Sequence, residues 1–327
     1  MLGIDVSKAS LAYTLLDDQT RHVQAAGTVP NTKAGITRLL RRIPAAHAWV
    51  AEPTGPYSQA VVATGHDAGR IVLLAQPRQA KAFLRSVSPR AKTDRLDSRG
   101  LAQYALAVPL RPFPVKTEVV VQLEQLLAAR KSLSHSLAQL RQQRQVLPYA
   151  ADVLDDAIAG LRRQQQTLDA QIATLTREPD LAVARHLDEI PGVGPVTAAA
   201  LAACFASHDF AHPDQFVAYI GLDVRVRDSG QRSGQRALSK RGDAELRRLL
   251  YCCAQANRRS TDPTNPFTQQ YERERAKGLS STAALNAVAR KLARTAWSIA
   301  THGTPYDPDR VNWQSARETP DALDSKP

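Results

Sequence analysis

Three cysteines in 327 residues are too few to staple a fold of this size. Cys204 stands alone, and Cys252 and Cys253 are adjacent in an apolar helical run. None has metal-ligand spacing, so all three read as buried thiols in a reducing compartment. The chain also lacks an apolar run of the ~20 residues that a membrane-crossing helix needs. No signal-peptide pattern opens it. These absences point to a cytosolic chain with no membrane partner. A glycine-rich nucleotide loop is missing as well. That weighs against an actin-like or sugar-kinase ATPase, which the strand and turn Gly3-Ile-Asp-Val-Ser-Lys8 would otherwise suggest.

Positive charge is in excess. Lys and Arg number 43 against 31 Asp and Glu, a formal net charge of +12. A basic balance of this size fits a polyanionic partner, most simply nucleic acid. The plain alternative is a chain that is basic only for solubility. The length leaves room for two domains and a sizeable core.

Among the acids, four stand out by placement. Asp5 sits in the apolar run Leu2-Gly-Ile-Asp-Val6, and Glu52 ends His47-Ala-Trp-Val-Ala-Glu52. Asp94 and Asp97 lie three apart in Lys92-Thr-Asp-Arg-Leu-Asp97, so on a helix they share a face. Taken singly, each is more readily a solvated charge or a helix cap. As a set they occupy strand ends and a helix start, where α/β folds place their chemistry. Such carboxylates can form an all-oxygen cage for Mg²⁺, with Mn²⁺ as the alternative. Two such ions can clamp the attacking and leaving oxygens of a phosphodiester.

The order of segments predicts an α/β region over 1–112, with strands at 2–6, 12–16, 22–29, 47–52 and 70–75. Asn31 is read as the cap of a helix running to Arg42. Pro109, Pro112 and Pro114 then break the pattern. Over 117–178, Val119, Leu123, Leu126, Leu133, Leu137 and Leu140 keep four-three spacing. After Pro148 so do Leu154, Ile158, Leu161, Leu168, Ile172 and Leu175. This predicts an antiparallel coiled-coil hairpin that carries self-association, with Arg130 and Gln165 at similar depth setting its register. Two ordinary bundle helices are the alternative. A basic helical domain follows over 181–302, then a loosely ordered tail over 303–327.

In the C-terminal half, Ile190-Pro-Gly-Val-Gly-Pro195 has the form of a helix-hairpin-helix turn. Gly192 and Gly194 would let the backbone approach a phosphate at a helix start. A Gly-Pro turn between packed helices is the alternative. Beyond Tyr219-Ile-Gly-Leu222 comes a loop carrying Arg225, Arg227, Arg232, Arg236, Lys240 and Arg241, with Ser229-Gly230 and Ser233-Gly234 inside it. A serine among guanidinium groups is suitably placed to attack a phosphate. From the residues alone, a basic loop whose serines only contact phosphates is the better reading. A helix from Asp243 to Ala256, with Leu246, Leu249 and Leu250 inward, and one from Thr282 to Ile299, with Arg290, Lys291 and Arg294, can both line a DNA channel. Solvated basic faces are the alternative.

Together these motifs resemble the DEDD-type insertion-sequence transposases with a C-terminal serine. These are the bridge-RNA-guided recombinases, which also include the pilin-gene invertase. The resemblance covers nearly the whole chain. It rests on Gly3-Ile-Asp-Val-Ser-Lys8, Glu52-Pro-Thr-Gly-Pro-Tyr57, Lys92-Thr-Asp-Arg-Leu-Asp97, Ile190-Pro-Gly-Val-Gly-Pro195, Tyr219-Ile-Gly-Leu222, Ser229-Gly230 and Ser239-Lys-Arg-Gly-Asp243. It implies an RNase H-like domain of the Holliday-junction-resolvase type, a coiled coil and a helical serine transposase domain. It implies Mg²⁺ held by Asp5, Glu52, Asp94 and Asp97, and Ser229 as nucleophile. Donor and target DNA, a structured guide RNA and a homo-oligomer, dimer or tetramer, are the implied partners, at the nucleoid in the bacterial cytosol. Two positions depart from the pattern. Asp228 precedes Ser229, and Asp223-Val224 stands where a proline-bearing stretch is usual. The rivals are a hydrolytic junction nuclease using the four acids alone and a decayed transposase that only binds nucleic acid.

Overall fold

A computed structural model of the chain describes residues 1–87, 93–225 and 237–311. Two compact units divide it, Met1–Val115 and Lys116–Pro327. The architecture is mixed α/β in the first unit and mostly helical in the second.

Unit 1 opens with β1 (Leu2–Val6), β2 (Ser10–Leu16) and β3 (Val23–Pro30), followed by α1 (Lys33–Arg42) and β4 (Trp49–Ala51). A 3-10 turn (Gly55–Ser58), α2 (Gln59–Asp67), β5 (Val72–Leu74), α3 (Pro77–Val87) and α4 (Asp94–Ala107) complete it. The sheet order is β3-β2-β1-β4-β5. The three early strands pair antiparallel, whereas β1, β4 and β5 run parallel. Side chains alternate faces along a strand. Leu2, Ile4 and Val6 therefore pack one way, against Ile36, Leu39 and Ile43 near α1 and Val61 and Val62 of α2. Val50 packs the other way, against Leu101 and Tyr104 of α4 and Ala80 of α3.

On that second face Gly3 lets α4 settle onto β1. A Cβ there would lie 2.0 Å from the Ser98 carbonyl oxygen and 2.6 Å from the Ala102 nitrogen. Thr14, the cross-strand partner of Gly3, shares a buried 2.8 Å hydrogen bond with the Ser98 hydroxyl. Two expectations change in this unit. The cap of α1 is Thr32, whose hydroxyl accepts from Gly35 N at 3.2 Å, and not Asn31. Helix α3 has no counterpart among the expected segments.

Unit 2 begins with α5 (Glu118–Val146) and α6 (Ala151–Leu175). They form an antiparallel hairpin in a single register, with Arg130 bonded to Asp169, Gln165 to Ser134 at 2.8 Å, and Arg144 to Asp155 at 2.8 Å. Arg130 and Gln165 thus sit one turn apart, each with its own polar partner. The four-three residues are buried or half-buried along both helices, with Leu123, Leu137, Ile158 and Ile172 deepest.

After the hairpin come α7 (Val183–Asp188), α8 (Pro195–Ser207), α9 (Pro213–Tyr219), β6 (Val224–Arg225), β7 (Ala237–Leu238), α10 (Ala244–Arg258), α11 (Pro266–Ala276) and α12 (Ser281–His302). The core forms around α12, which touches α7, α8, α9, α10 and α11. Its small residues Ala284, Ala289, Ala293 and Ala296 are buried and let neighbours approach on several sides. Arg290, Lys291 and Arg294 are consequently half-buried, and Arg294 donates to Asp214 at 2.8 Å. The solvated basic face considered for this helix is not what the fold contains.

The tail expectation also changes. Val311 is buried in the unit 2 core, and Tyr306 N donates to Glu189 Oε2 at 3.0 Å. Residues 304–311 are therefore docked, and 312–327 lie outside the described residues. Cys204 and Cys253 are buried as expected, whereas Cys252 is exposed. Among the described residues no helix is long and apolar enough to cross a membrane.

Candidate active site

Strand register and helix direction place the acids of unit 1 toward one edge of the sheet. Ile4 pairs with Ala51 at the last paired step of the two parallel strands, and Asp5 and Glu52 are the next residues on each. Gly3 faces α4, and Asp5, two residues on, shares its face. Val50 packs against the α4 side, and Glu52 follows it by the same interval. Helix α4 runs opposite to β1. Its late residue Leu106 accepts from Arg21 Nη2 at 3.3 Å, beside the turn that joins β2 to β3. Leu16, before that turn, bonds through its N–H to the Met1 carbonyl at 2.9 Å, where β1 starts. The first turn of α4, with Asp94 and Asp97, therefore lies toward the ends of β1 and β4. Thr93 caps that turn through a 3.3 Å bond from Leu96 N.

Asp5, Glu52 and Asp97 are half-buried and Asp94 is exposed. The donor set is all oxygen, which fits Mg²⁺ or Mn²⁺ by ligand type. Among the described residues, however, no three Asp, Glu, His or Cys side chains lie close enough together to hold a metal ion. The acids share one face and one edge of the sheet without closing a cage. Asp94 and Asp97 also suit the N-terminal turn of a helix electrostatically, so part of their placement needs no metal.

In unit 2 the sequence motifs dock on one another. Lys240 N donates to the Gly221 carbonyl at 3.1 Å, and Asp243 N to the Tyr219 carbonyl at 3.0 Å. Ser239 N donates to the Asp223 carbonyl at 2.9 Å, and the Ser239 hydroxyl donates to the Asp223 carboxylate. Arg247 Nη1 reaches the Ile220 carbonyl at 2.8 Å. Strands β6 and β7 continue this clasp, with Val224 opposite Leu238 and Arg225 opposite Ala237. Gly221 (φ 70°) and Gly242 (φ 129°) make the close approach feasible. A Cβ on Gly242 would fall 1.9 Å from the Tyr219 carbonyl oxygen. Asp223 is thus part of the clasp.

Arg225, Lys240 and Arg241 belong to this stem. Ser229, Ser233, Arg227, Arg232 and Arg236 lie outside the described residues. Behind the stem, burial raises the Tyr219 phenol and the Cys204 thiol well above their ordinary values and lowers the His208 imidazole.

The Gly192 turn has a structural cause. Gly192 has φ 77°, and a Cβ there would meet Asn257 Nδ2 at 2.4 Å. Asn257, buried, donates to the Pro191 carbonyl at 2.7 Å and so locks α10 to the turn. Packing accounts for Gly192 without any phosphate. A Cβ on Gly194 would meet nothing within 4 Å, which leaves the start of α8 open there.

Residues 2–149 match the DEDD, IS110-type family described as a transposase. Residues 184–271 match a second family model, described as transposase IS116/IS110/IS902 family. Both units of the chain are thus similar to members of this transposase family. It is 30% identical over 176 residues to the transposase for insertion sequence element IS1328 of Yersinia enterocolitica, covering 52% of each chain. It is 30% identical to a probable family 20 transposase of Pseudomonas aeruginosa, over 47% of this chain and 48% of that one. The chain thus spans about half the length of these two relatives. The pilin gene-inverting protein of Moraxella lacunata is 25% identical over 94% of this chain and 97% of its own. The DEDD match lies over the unit that carries the four acids, and the second match contains both the Gly192 turn and the clasp.

Proposed function

We propose that this protein is a DNA recombinase that moves an insertion sequence, cutting and rejoining phosphodiesters under the guidance of a structured RNA. Unit 1 is its RNase H-like domain, and Asp5, Glu52, Asp94 and Asp97 bind Mg²⁺. The observation that carries this reading is the shared face and edge of four acids from three separate stretches of chain. The mixed sheet, three antiparallel strands followed by two parallel ones, also supports it. The bound cation supplies charge neutralisation at the phosphoryl oxygens.

Ser229 is the nucleophile of this proposal. Its oxygen bonds to phosphorus as the bond from phosphorus to the leaving deoxyribose oxygen breaks. The serine gives up its proton and the leaving oxygen takes one up. Attack by a new deoxyribose hydroxyl reverses the step, so rejoining needs no ATP. Arg225, Arg227, Arg232, Arg236, Lys240 and Arg241 hold the nucleic acid backbone, and the open turn at Gly194 adds a phosphate contact. The clasp supports this role because Tyr219–Arg225 and Ala237–Asp243 are bonded to each other at the start of α10. The α5–α6 hairpin is a coiled coil that joins copies of the chain into a dimer or tetramer.

The test traps the reaction on nicked DNA and maps the DNA-linked peptide by mass spectrometry. A link at Ser229, lost in Ser229→Ala with nucleic acid binding intact, is expected. A link at Ser233 would move the role four residues on. Cleavage without any serine link would return the protein to a hydrolytic nuclease. Protein stripped of RNA should keep weak general binding but lose selective DNA binding.

A further inference from the structure

Three loops at the acidic edge of unit 1 meet at one side chain. Asn31 Nδ2 donates to the Ser7 carbonyl at 2.8 Å and to the Tyr57 carbonyl at 3.0 Å. The Asn31 main-chain N–H donates to the Ala9 carbonyl at 2.9 Å. Asn31 thus grips the turn that begins two residues after Asp5 and ties it to the loop that follows Glu52. Both loops are closed locally. Ser7 N bonds to the Ser10 carbonyl at 2.9 Å, and the two hydroxyls lie 2.9 Å apart. Tyr57 N bonds to the Thr54 carbonyl at 3.2 Å, and Thr54 Oγ1 donates to the Glu52 carbonyl at 3.3 Å.

This tie matters because β4 is short. Its pairing with β1 covers Trp49, Val50 and Ala51 and stops before Glu52. Beyond the last paired residue, the chain after Asp5 and the chain after Glu52 enter the two loops that Asn31 ties together. An amide suits the bridge because both acceptors are carbonyls and one NH₂ group carries two hydrogens. A carboxylate of the same shape would turn acceptors toward acceptors. Thr32 performs the helix cap, which leaves the Asn31 side chain for this contact.

We propose that Asn31 is a positioning residue of the acidic site, setting the spacing of Asp5 and Glu52 by holding the Ser7 and Tyr57 carbonyls together. The inference rests on the reading of the four acids as a divalent-cation site. Calorimetric titration of the full chain with Mn²⁺ tests it on wild type, Asp5→Ala, Asn31→Ala, Asn31→Ser and Asn31→Asp. Asn31→Ala should bind Mn²⁺ roughly tenfold more weakly, the scale of losing an outer-shell partner. Raised Mn²⁺ should restore its cleavage rate. Asn31→Asp should bind more weakly still, although it adds a negative charge near the site. Tighter binding by Asn31→Asp would mean that charge, not the tie, matters, and would overturn the inference. So would wild-type affinity in Asn31→Ala. Should Asn31→Ala not fold, Asn31→Ser, which can reach at most one carbonyl, decides by the same comparison. Binding that Asp5→Ala leaves unchanged would overturn the acidic-site reading and this inference together. Binding lost in Asp5→Ala but unaltered in the Asn31 variants would overturn this inference alone.

Discussion

The two units reach their candidate chemistry by opposite routes. Unit 1 gathers Asp5, Glu52 and the Asp94–Asp97 pair from three stretches of chain, using sheet register and the direction of α4. Unit 2 builds its basic stem from two motifs close in sequence, Tyr219–Arg225 and Ala237–Asp243, locked by main-chain hydrogen bonds. The first arrangement is tertiary, so its parts can be held at a distance from closure. The second is local and is rigid at its base. A site of the first kind is sensitive to what positions its loops, and one of the second kind to its backbone.

The comparison can be broken most severely at the acids themselves. Asp5→Ala should abolish cleavage of a supercoiled plasmid carrying the element's ends while the far-ultraviolet circular dichroism is retained. Near-normal recombination in Mg²⁺ would remove Asp5 from the site. Backbone sensitivity comes next. Gly242→Ala places a methyl 1.9 Å from the Tyr219 carbonyl oxygen at φ 129°. It should cost about 3 kcal/mol or more in urea denaturation. Gly3→Ala should do similar damage in unit 1 by lifting α4 off β1.

A sharper test sets Gly192 against Gly194. Gly192→Ala should destabilise through Asn257, whereas Gly194→Ala has open space and should change stability by less than about 0.5 kcal/mol. Any loss of nucleic acid affinity in folded Gly194→Ala is then a contact effect, read from filter binding across a salt series. The smallest expected effect is from His208. Burial lowers its imidazole, so the unfolded chain binds that proton more tightly than the folded one. The stabilisation is complete above the ordinary imidazole value of about 6.5 and declines as pH falls through it. Thermal midpoints between pH 8 and 5.5 should drop more in wild type than in His208→Gln.

Much of unit 1 was legible because its signals are one-dimensional. Apolar runs mark β1 and β4, and the three-residue interval puts Asp94 and Asp97 on one helical face. The direction of α4 was not legible, since it depends on where Gly3 lets the helix settle. Asn31 misled because asparagine is a strong helix cap, yet the adjacent Thr32 has its hydroxyl in reach of Gly35 N. Gly192 is ambiguous for a related reason. A glycine that admits a phosphate and one that admits Asn257 look identical in sequence. For the basic residues of α12, a DNA-lining face and a solvated face were both open readings because stripe reasoning assumes one apolar side. Alanines around that helix let it be buried on several sides instead.

The hairpin carries a mechanical consequence. Its base joins the unit 2 core through Val120, Leu123 and Ile172, while its far end presents exposed Val146, Leu147, Tyr149 and Val153. At 1.5 Å per residue, the 29 residues of α5 span roughly 43 Å. Because Arg130–Asp169, Ser134–Gln165 and Arg144–Asp155 fix one register, the hairpin behaves as a ruler of set length and phase. Adding one residue to each helix would swing the apolar tip by about 100°. Adding seven to each would move it outward by about 10 Å and return it close to its original facing.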